Sequence, residues 1–506
     1  MESRSVKSFN NIVSGVFSKM LMFLFAFFAR TVFIKILGAE YTGINGLYSN
    51  ILTVLSLADF GVVQVLSFFL YEALRDNDQN QIAAVIQSFR KIYLLIGMAV
   101  FGIGVLMMPF LPYVIHSSLD DFHLMEYYVL FLLNMSCSYF FVYKTTILTA
   151  DQKQYYENLV TAAVQIVMYI LQIMYLLLFR NYTGFLIIQI VCTAVRNIVL
   201  SRIADKKYPY IKRKPADTKE YKFDFKSRIG RDIRSAMLYK AGSTALNHTD
   251  NILISAIAGT VQVGYYSNYS LIFGYIGAYV HIAASGITAS LGSVNAEKNA
   301  DKSYSVYRTI LFLFLAGAGI LVNVSGCCVQ EVISVWLGEE YVLDNVTFAA
   351  VLIMVYVNYI CTPPAIFRET LGYFEEVKCM MIPAAVINIV LSAALGRKYG
   401  TAGILIATPV SKLLTQFWYE PGVLYKKAFH QPYHLFWVQQ IKFLTVTSGC
   451  MLANLFLCSF LPGTFFGILA RAAVSGAVTT GAVILTNLHS DEMKDIIRRI
   501  RFTQKH

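Results

Sequence analysis

Apolar residues dominate this chain in stretches of about twenty, and polar residues gather in the short gaps between them. Fourteen stretches are read, near 10–37, 43–71, 84–114, 123–149, 156–179, 182–203, 233–257, 261–290, 303–336, 344–370, 376–396, 399–425, 434–460 and 464–487. A run of that length predicts a helix that crosses a bilayer, because hydrocarbon offers backbone N–H and C=O groups no partner outside the segment. A β-barrel would need polar and apolar residues to alternate, and the long apolar runs contradict that. The expected fold class is an all-α polytopic membrane protein.

Several spans carry polar residues at helical spacing. The seventh places Lys240, Ser243, Thr244, Asn247 and Asn251 on one face, with His248 and Asp250 on its flanks. A charge at the bilayer centre costs about 2.5–3.5 kcal/mol even on a lenient scale, so this face is expected to meet protein or water. The first span carries Lys19 and Arg30 on one face, about 16 Å apart, with no acid between Asn10 and Leu37. The fifth shows a stripe of Asn158, Thr161, Gln165, Tyr169 and Gln172. Such a stripe lines a wet cavity or bonds neighbouring helices at about 0.6 kcal/mol per contact.

Lys19, Arg30, Gln165, Lys240, Asn247, His248 and Asn251 are the candidate cavity residues. Asp59 and Asp250 are acids at bilayer depth. Asp59 reads as a partner for Arg30 or a proton carrier, and Asp250 as a site for proton or sodium coupling. Lys144, Arg196, Arg308 and Arg368 read as markers of the cytoplasmic boundary, with Lys144 and Arg368 also placed to rim a cleft.

Composition supports the membrane reading. Charged residues make up 14% of the 506, against about 25% in soluble domains. The net charge of +12 concentrates in 202–234 and in the tail 494–505, which makes it a matter of topology rather than of nucleic-acid binding. With the N-terminus cytoplasmic, the inside loops hold Arg75, Lys153, Lys298, Lys302, Lys378, Lys426 and Lys427, while the outside loops hold little beyond Arg180, Arg397 and Lys398. Both termini are therefore expected to be cytoplasmic. The eight cysteines are scattered through apolar segments without metal-ligand spacing, so no metal site is expected. No phosphate-binding Gly-Lys-Ser/Thr loop is present, so ATP hydrolysis is not expected. A membrane polymerase or glycosyltransferase would need catalytic acids on a substantial outer loop. Asp120, Asp121, Glu339 and Glu340 sit on short ones, so no catalytic residue is assigned.

Gly46-Leu47-Tyr48-Ser49-Asn50 and Gly264-Tyr265-Tyr266-Ser267-Asn268 lie 218 positions apart (264 minus 46). Gly184-Phe185-Leu186-Ile187 and Gly403-Ile404-Leu405-Ile406 recur at nearly the same offset. The repeat divides the chain into an N-lobe at 1–203, a basic linker at 204–232 and a C-lobe at 233–425. Helices 13 and 14 follow at 426–490, then a basic tail at 491–506. An even number of spans per repeat gives two lobes in one orientation, which suits alternating access around a cleft. At this offset Arg30 aligns with His248.

The run Arg30-Thr31-Val32-Phe33-Ile34-Lys35-Ile36-Leu37-Gly38-Ala39-Glu40-Tyr41-Thr42-Gly43, with Leu57-Ala58-Asp59-Phe60-Gly61 and Thr249-Asp250-Asn251, resembles bacterial polysaccharide exporters. These are lipid-linked repeat-unit flippases of the multidrug/oligosaccharidyl-lipid/polysaccharide exporter superfamily. The resemblance implies fourteen helices, two lobes around a V-shaped cavity, and a place in the bacterial cytoplasmic membrane. It implies an undecaprenyl-pyrophosphate-linked oligosaccharide as substrate, for O-antigen, capsule or exopolysaccharide, and a polymerase among the partners. Drug and cation exporters of the superfamily often carry an acid in the first span, which this chain lacks. An ion-coupled multidrug or cation antiporter is the alternative function. No cofactor is implied beyond coupling to H+ or Na+.

Overall fold

The computed structural model describes residues 4–56, 66, 69–71, 73–74, 76, 78–212, 231–296, 299–495 and 498. Among them the regular structure is helical throughout. The helices are α1 (Arg4–Leu55), α2 (Gln79–Met107), α3 (Asp121–Ala150), α4 (Gln154–Phe179), α5 (Tyr182–Lys207), α6 (Arg231–His248), α7 (Asp250–Ala258) and α8 (Thr260–Ala296). There follow α9 (Ala300–Leu337), α10 (Asn345–Ile360), α11 (Thr362–Leu371), α12 (Met381–Leu414), α13 (Gln416–Val423), α14 (His434–Cys458) and α15 (Phe465–Asn487). Ten stretches of the described residues are long and apolar enough to cross a membrane. The polytopic all-α architecture read from the sequence is the one observed.

Two of those stretches hold two spans each. A straight α1 of 52 residues would be about 78 Å long, far beyond the roughly 30 Å of hydrocarbon. It breaks at Gly38 (φ 88°, ψ −176°), where the sequence places the first outer loop. The first limb runs with α4: Asn11 bonds the backbone of Gln152 and Tyr155, and Phe33 packs on Tyr182 and Phe185 past the far end of α4. The second limb runs with α3: Glu40 accepts from Ser117 and Ser118 just before it, and Tyr48 donates to the Leu124 carbonyl at 2.7 Å. Helix α12 breaks likewise at Gly400, one residue inside the span read at 399–425 and two past the gap at 397–398. Short polar residues set the other starts. Asp78, Asn181, Asn299, Asp344 and Thr464 each cap a helix by accepting from its free N–H groups.

By contacts the chain divides into two compact units, Met1–Ala283 and Ala284–His506. The first has an aromatic core in which Tyr182 meets Phe33, Tyr41 and Tyr127, and Tyr48 meets Tyr128 and Phe131. In the second, α9 packs against α10, α14 and α15. Asn454 of α14 donates to Asn323 of α9 and Thr479 of α15, each at 3.0 Å, and Asn323 donates to the Thr447 carbonyl. Ion pairs Arg471–Glu331 (2.6 Å) and Arg308–Glu492 (2.6 Å) add to this docking.

Backbone geometry corrects the register of the repeat. Gly38 and Gly259, both at positive φ, are 221 apart (259 minus 38). The positive-φ pairs Gln152/Gly372 and Arg180/Gly400 are 220 apart (372 minus 152, 400 minus 180). In the 221 register Ser14, Lys19, Gly38, Gly43, Tyr48 and Ser49 align with Ser235, Lys240, Gly259, Gly264, Tyr269 and Ser270, each pair identical. Tyr48 and Tyr269 are both fully buried. The 218 match is shorter by three residues, close to one helical turn, so it presented similar residues on a similar face. Arg30 therefore aligns with Asn251, not with His248, and Lys19 with Lys240.

Candidate functional site

Arg30 lies eight residues before the Gly38 break. It is half-buried, and its Nε is sealed from solvent without a hydrogen-bond partner among the described residues. Among the described residues its electrostatic neighbours are the phenols of Tyr182 and Tyr169. The Tyr182 hydroxyl is likewise buried and unpartnered among the described residues. Tyr169 pairs with Tyr275 of α8, whose hydroxyl also donates to the Met22 carbonyl at 3.4 Å. A cation whose described neighbours are phenols can receive an anion through charge-assisted hydrogen bonds.

The stripe on α4 divides in its use. At one end Asn158 donates to Ser14, and at the other Gln172 donates to the Phe185 carbonyl. Those ends serve helix packing. Gln165 and Tyr169 lie one turn apart between them, both half-buried, with Tyr169 beside Arg30.

A second polar group forms where the second limb of α1 meets α6, α7 and α8. Gly43 and Gly264 allow the crossing: a Cβ on Gly43 would lie 1.9 Å from the Thr260 carbonyl oxygen, and one on Gly264 2.0 Å from that of Ala39. No larger residue fits at that distance. His248 Nδ1 and Asn50 Oδ1 are 3.1 Å apart. Asn251 lies beside Gly46, is buried, and has an unpartnered Oδ1 among the described residues. Asp250 is buried at 6% exposure. Asn268 is fully buried, and neither of its amide atoms has a partner among the described residues. At the same end, His116 accepts from the Thr260 N–H at 3.2 Å through its carbonyl and reaches the Ser255 carbonyl through Nδ1.

The structure thus brings Arg30 together with Tyr169, one turn from Gln165, and brings His248 to Asn50, and Asn251 to Gly46. Asn247 is exposed and bonds back to Ser243, which places it on the helix surface. Lys240 is exposed and Lys19 half-buried. Asp59 lies outside the described residues. The boundary cations are committed elsewhere: Lys144 to Asp205 at 3.0 Å, Arg196 to Asn197, Arg308 to Glu492, and Arg368 to Glu420 at 3.4 Å. Among the described residues no group of three His, Cys, Asp or Glu could hold a metal ion. Tyr182, Asn50 and Asn268 were not singled out from the sequence. Tyr182 opens a helix and reads as an interface aromatic, and the two asparagines were noticed only as ends of a repeated motif.

No protein-family model matches the chain, and no curated protein does. Solved structures do match. The inward closed conformation of the lipid II flippase MurJ aligns with 96% of this chain and 99% of its own, at a TM-score of 0.63 and 16% identity. The inward-facing conformation of a multidrug resistance MATE family transporter of the MOP superfamily aligns with 82% of this chain and 99% of its own, at 0.59 and 15%. The MATE multidrug transporter DinF-BH aligns with 85% and 98%, at 0.59 and 15%. The chain has the two-lobed fold of these flippase and transporter structures.

Proposed function

We propose that this chain is a flippase that carries an undecaprenyl-pyrophosphate-linked oligosaccharide across the bacterial cytoplasmic membrane by alternating access, for surface polysaccharide synthesis. The observation that carries the reading is Arg30, a cation at membrane depth whose neighbours among the described residues are phenols. A pyrophosphate suits such a cation, and phenols and amides suit a sugar. Lys19 and Lys240 support it, since the two repeats place a lysine at the same position, 19 residues before the break glycine. At about 1.5 Å per residue that is roughly 28 Å from the outer turn, at the cytoplasmic mouth where a substrate enters. The flippase structure also spans nearly all of this chain, and the two transporters about four-fifths.

In this reading both termini are cytoplasmic, a polymerase consumes the delivered unit, and Asp250 is the candidate for H+ or Na+ coupling. The chain itself performs no covalent step. The second reading, an antiporter for cationic drugs, draws on the MATE transporters of the same fold and on the buried Asp250. Export complementation separates the roles at Arg30. Arg30→Ala should abolish polysaccharide export at a normal membrane level of protein, and Arg30→Lys should retain part of it, because a charge-assisted hydrogen bond is worth about 1.5–3 kcal/mol. Full export by Arg30→Ala would remove Arg30 from the site.

A further inference from the structure

A cavity of about 240 Å³ lies between the second limb of α1, the outer end of α2 and α7, lined by Ile51, Val54, Leu55, Met107, Phe110, Leu111, Val114 and Ile252. Every lining side chain is apolar. A dry, apolar cavity of about 150 Å³ already takes a small hydrocarbon in preference to water, so this one has room for more than that. Its mouth is on the outside of the bundle, since Met107 is 37% and Phe110 63% exposed. In a membrane protein, what reaches that mouth is a lipid chain.

The polar groups beside the slot narrow the choice. Ile51 follows Asn50, which holds His248, and Ile252 follows Asn251, whose Oδ1 is buried and unpartnered among the described residues. An apolar slot therefore begins one residue from polar side chains on two different helices. That suits an amphiphile whose polar head stays on the bundle side while its chain leaves sideways. We propose that this slot receives the first isoprene units of the polyprenyl chain as the head reaches the outer half of the membrane. The proposal rests on the flippase reading and adds the place where the tail is held. Phospholipid acyl chains are the competing occupant.

The test uses the full-length protein in proteoliposomes with two photoprobes. One is a polyprenyl diphosphate with a diazirine on its first isoprene units, and the other is phosphatidylethanolamine with a diazirine on an acyl chain. Labelled peptides are mapped by mass spectrometry. The polyprenyl probe should label 107–114, and unlabelled polyprenyl diphosphate should compete for it. Val54→Trp fills the slot and should lower that labelling about tenfold, with labelling near Lys19 unchanged. Gly102→Ala, on α2 outside the slot and with nothing within 4 Å of a new Cβ, should leave it in place, and unchanged labelling near Lys19 guards against a misfolded Val54→Trp. Equal, uncompeted labelling of 107–114 by phosphatidylethanolamine would overturn the proposal in favour of bulk lipid. Competed polyprenyl labelling elsewhere, but not at 107–114, would overturn the slot and leave the flippase reading standing. No competed polyprenyl labelling anywhere would overturn both.

Discussion

The crossing of the second limb of α1 with α8 gives a prediction whose size follows from geometry. A Cβ on Gly43 would lie 1.9 Å from the Thr260 carbonyl oxygen, and ordinary contact starts at 3.4 Å. The obstructing atom is backbone, so no side chain can swing aside. Gly43→Ala must part the helices there by 1.5 Å (3.4 minus 1.9), and Gly264→Ala by nearly as much against Ala39. Overpacking of this kind costs about 1–3 kcal/mol. If alternating access opens this crossing, that penalty falls on the closed state alone and shifts the balance toward the open one by about 5- to 150-fold. The assay is modification of Ser267→Cys in a background lacking the eight native cysteines. Ser267 is 7% exposed and faces Gly46, so a membrane-impermeant thiol reagent should reach it slowly in the parent and much faster with Gly43→Ala. Gly274→Ala, where nothing lies within 4 Å of a new Cβ, is the matched control and should change nothing. Equal labelling rates in Gly43→Ala and the control would refute the reasoning.

Three further outcomes follow from the second unit. Glu420→Ala removes the buried carboxylate beside Arg368, which is 1% exposed, and leaves it the half-exposed Glu369; this should destabilise the purified protein by up to about 3–5 kcal/mol, while the double variant Arg368→Met/Glu420→Leu should unfold closer to the parent temperature. Asn454→Leu leaves Asn323 short of a buried partner and should cost about 1–3 kcal/mol, read as earlier proteolysis between α14 and α15 on heating. Asp344 caps α10: burial pushes its carboxyl up, but the Thr347 hydroxyl and the N–H groups of Thr347 and Val346 outweigh that and hold it below the usual range. Its contribution is thus present above about pH 4 and is lost as pH falls through the lower folded value. Asp344→Asn, which keeps a capping oxygen, should flatten that acid-side loss in a thermal-stability titration.

The helices were legible because bilayer length and glycine punctuation act locally. The break at Gly38 falls in a gap read from hydropathy alone, the break at Gly400 lies two residues past one, and the ends of α3, α4 and α5 lie within a few residues of the sequence reading. The register of the repeat was less legible, since a one-turn slip keeps the same face and only the positive-φ glycines fix it. At the site, Arg30 stood out because a charge in hydrocarbon is costly wherever it sits. Its surroundings did not: Tyr169 showed only as part of the fifth-span stripe, Tyr182 and Tyr275 come from two other helices, and nothing in their spacing announces that the three meet. The fifth-span stripe shows the limit in the other direction: Asn158, Gln165 and Gln172 share one pattern, yet the outer two are spent on packing.

The central claim is that a basic, hydrogen-bonding chamber moves an anionic lipid head. The direct measurement is translocation in proteoliposomes containing the purified chain, with undecaprenyl-pyrophosphate-linked oligosaccharide on one side and a lectin or glycosidase on the other. The account predicts protein-dependent movement that is lost with Arg30→Ala, partly restored by Arg30→Lys, and absent for a cationic dye under the same ion gradients. Gradient-driven transport of the dye, with the lipid-linked sugar left in its original leaflet, would contradict it.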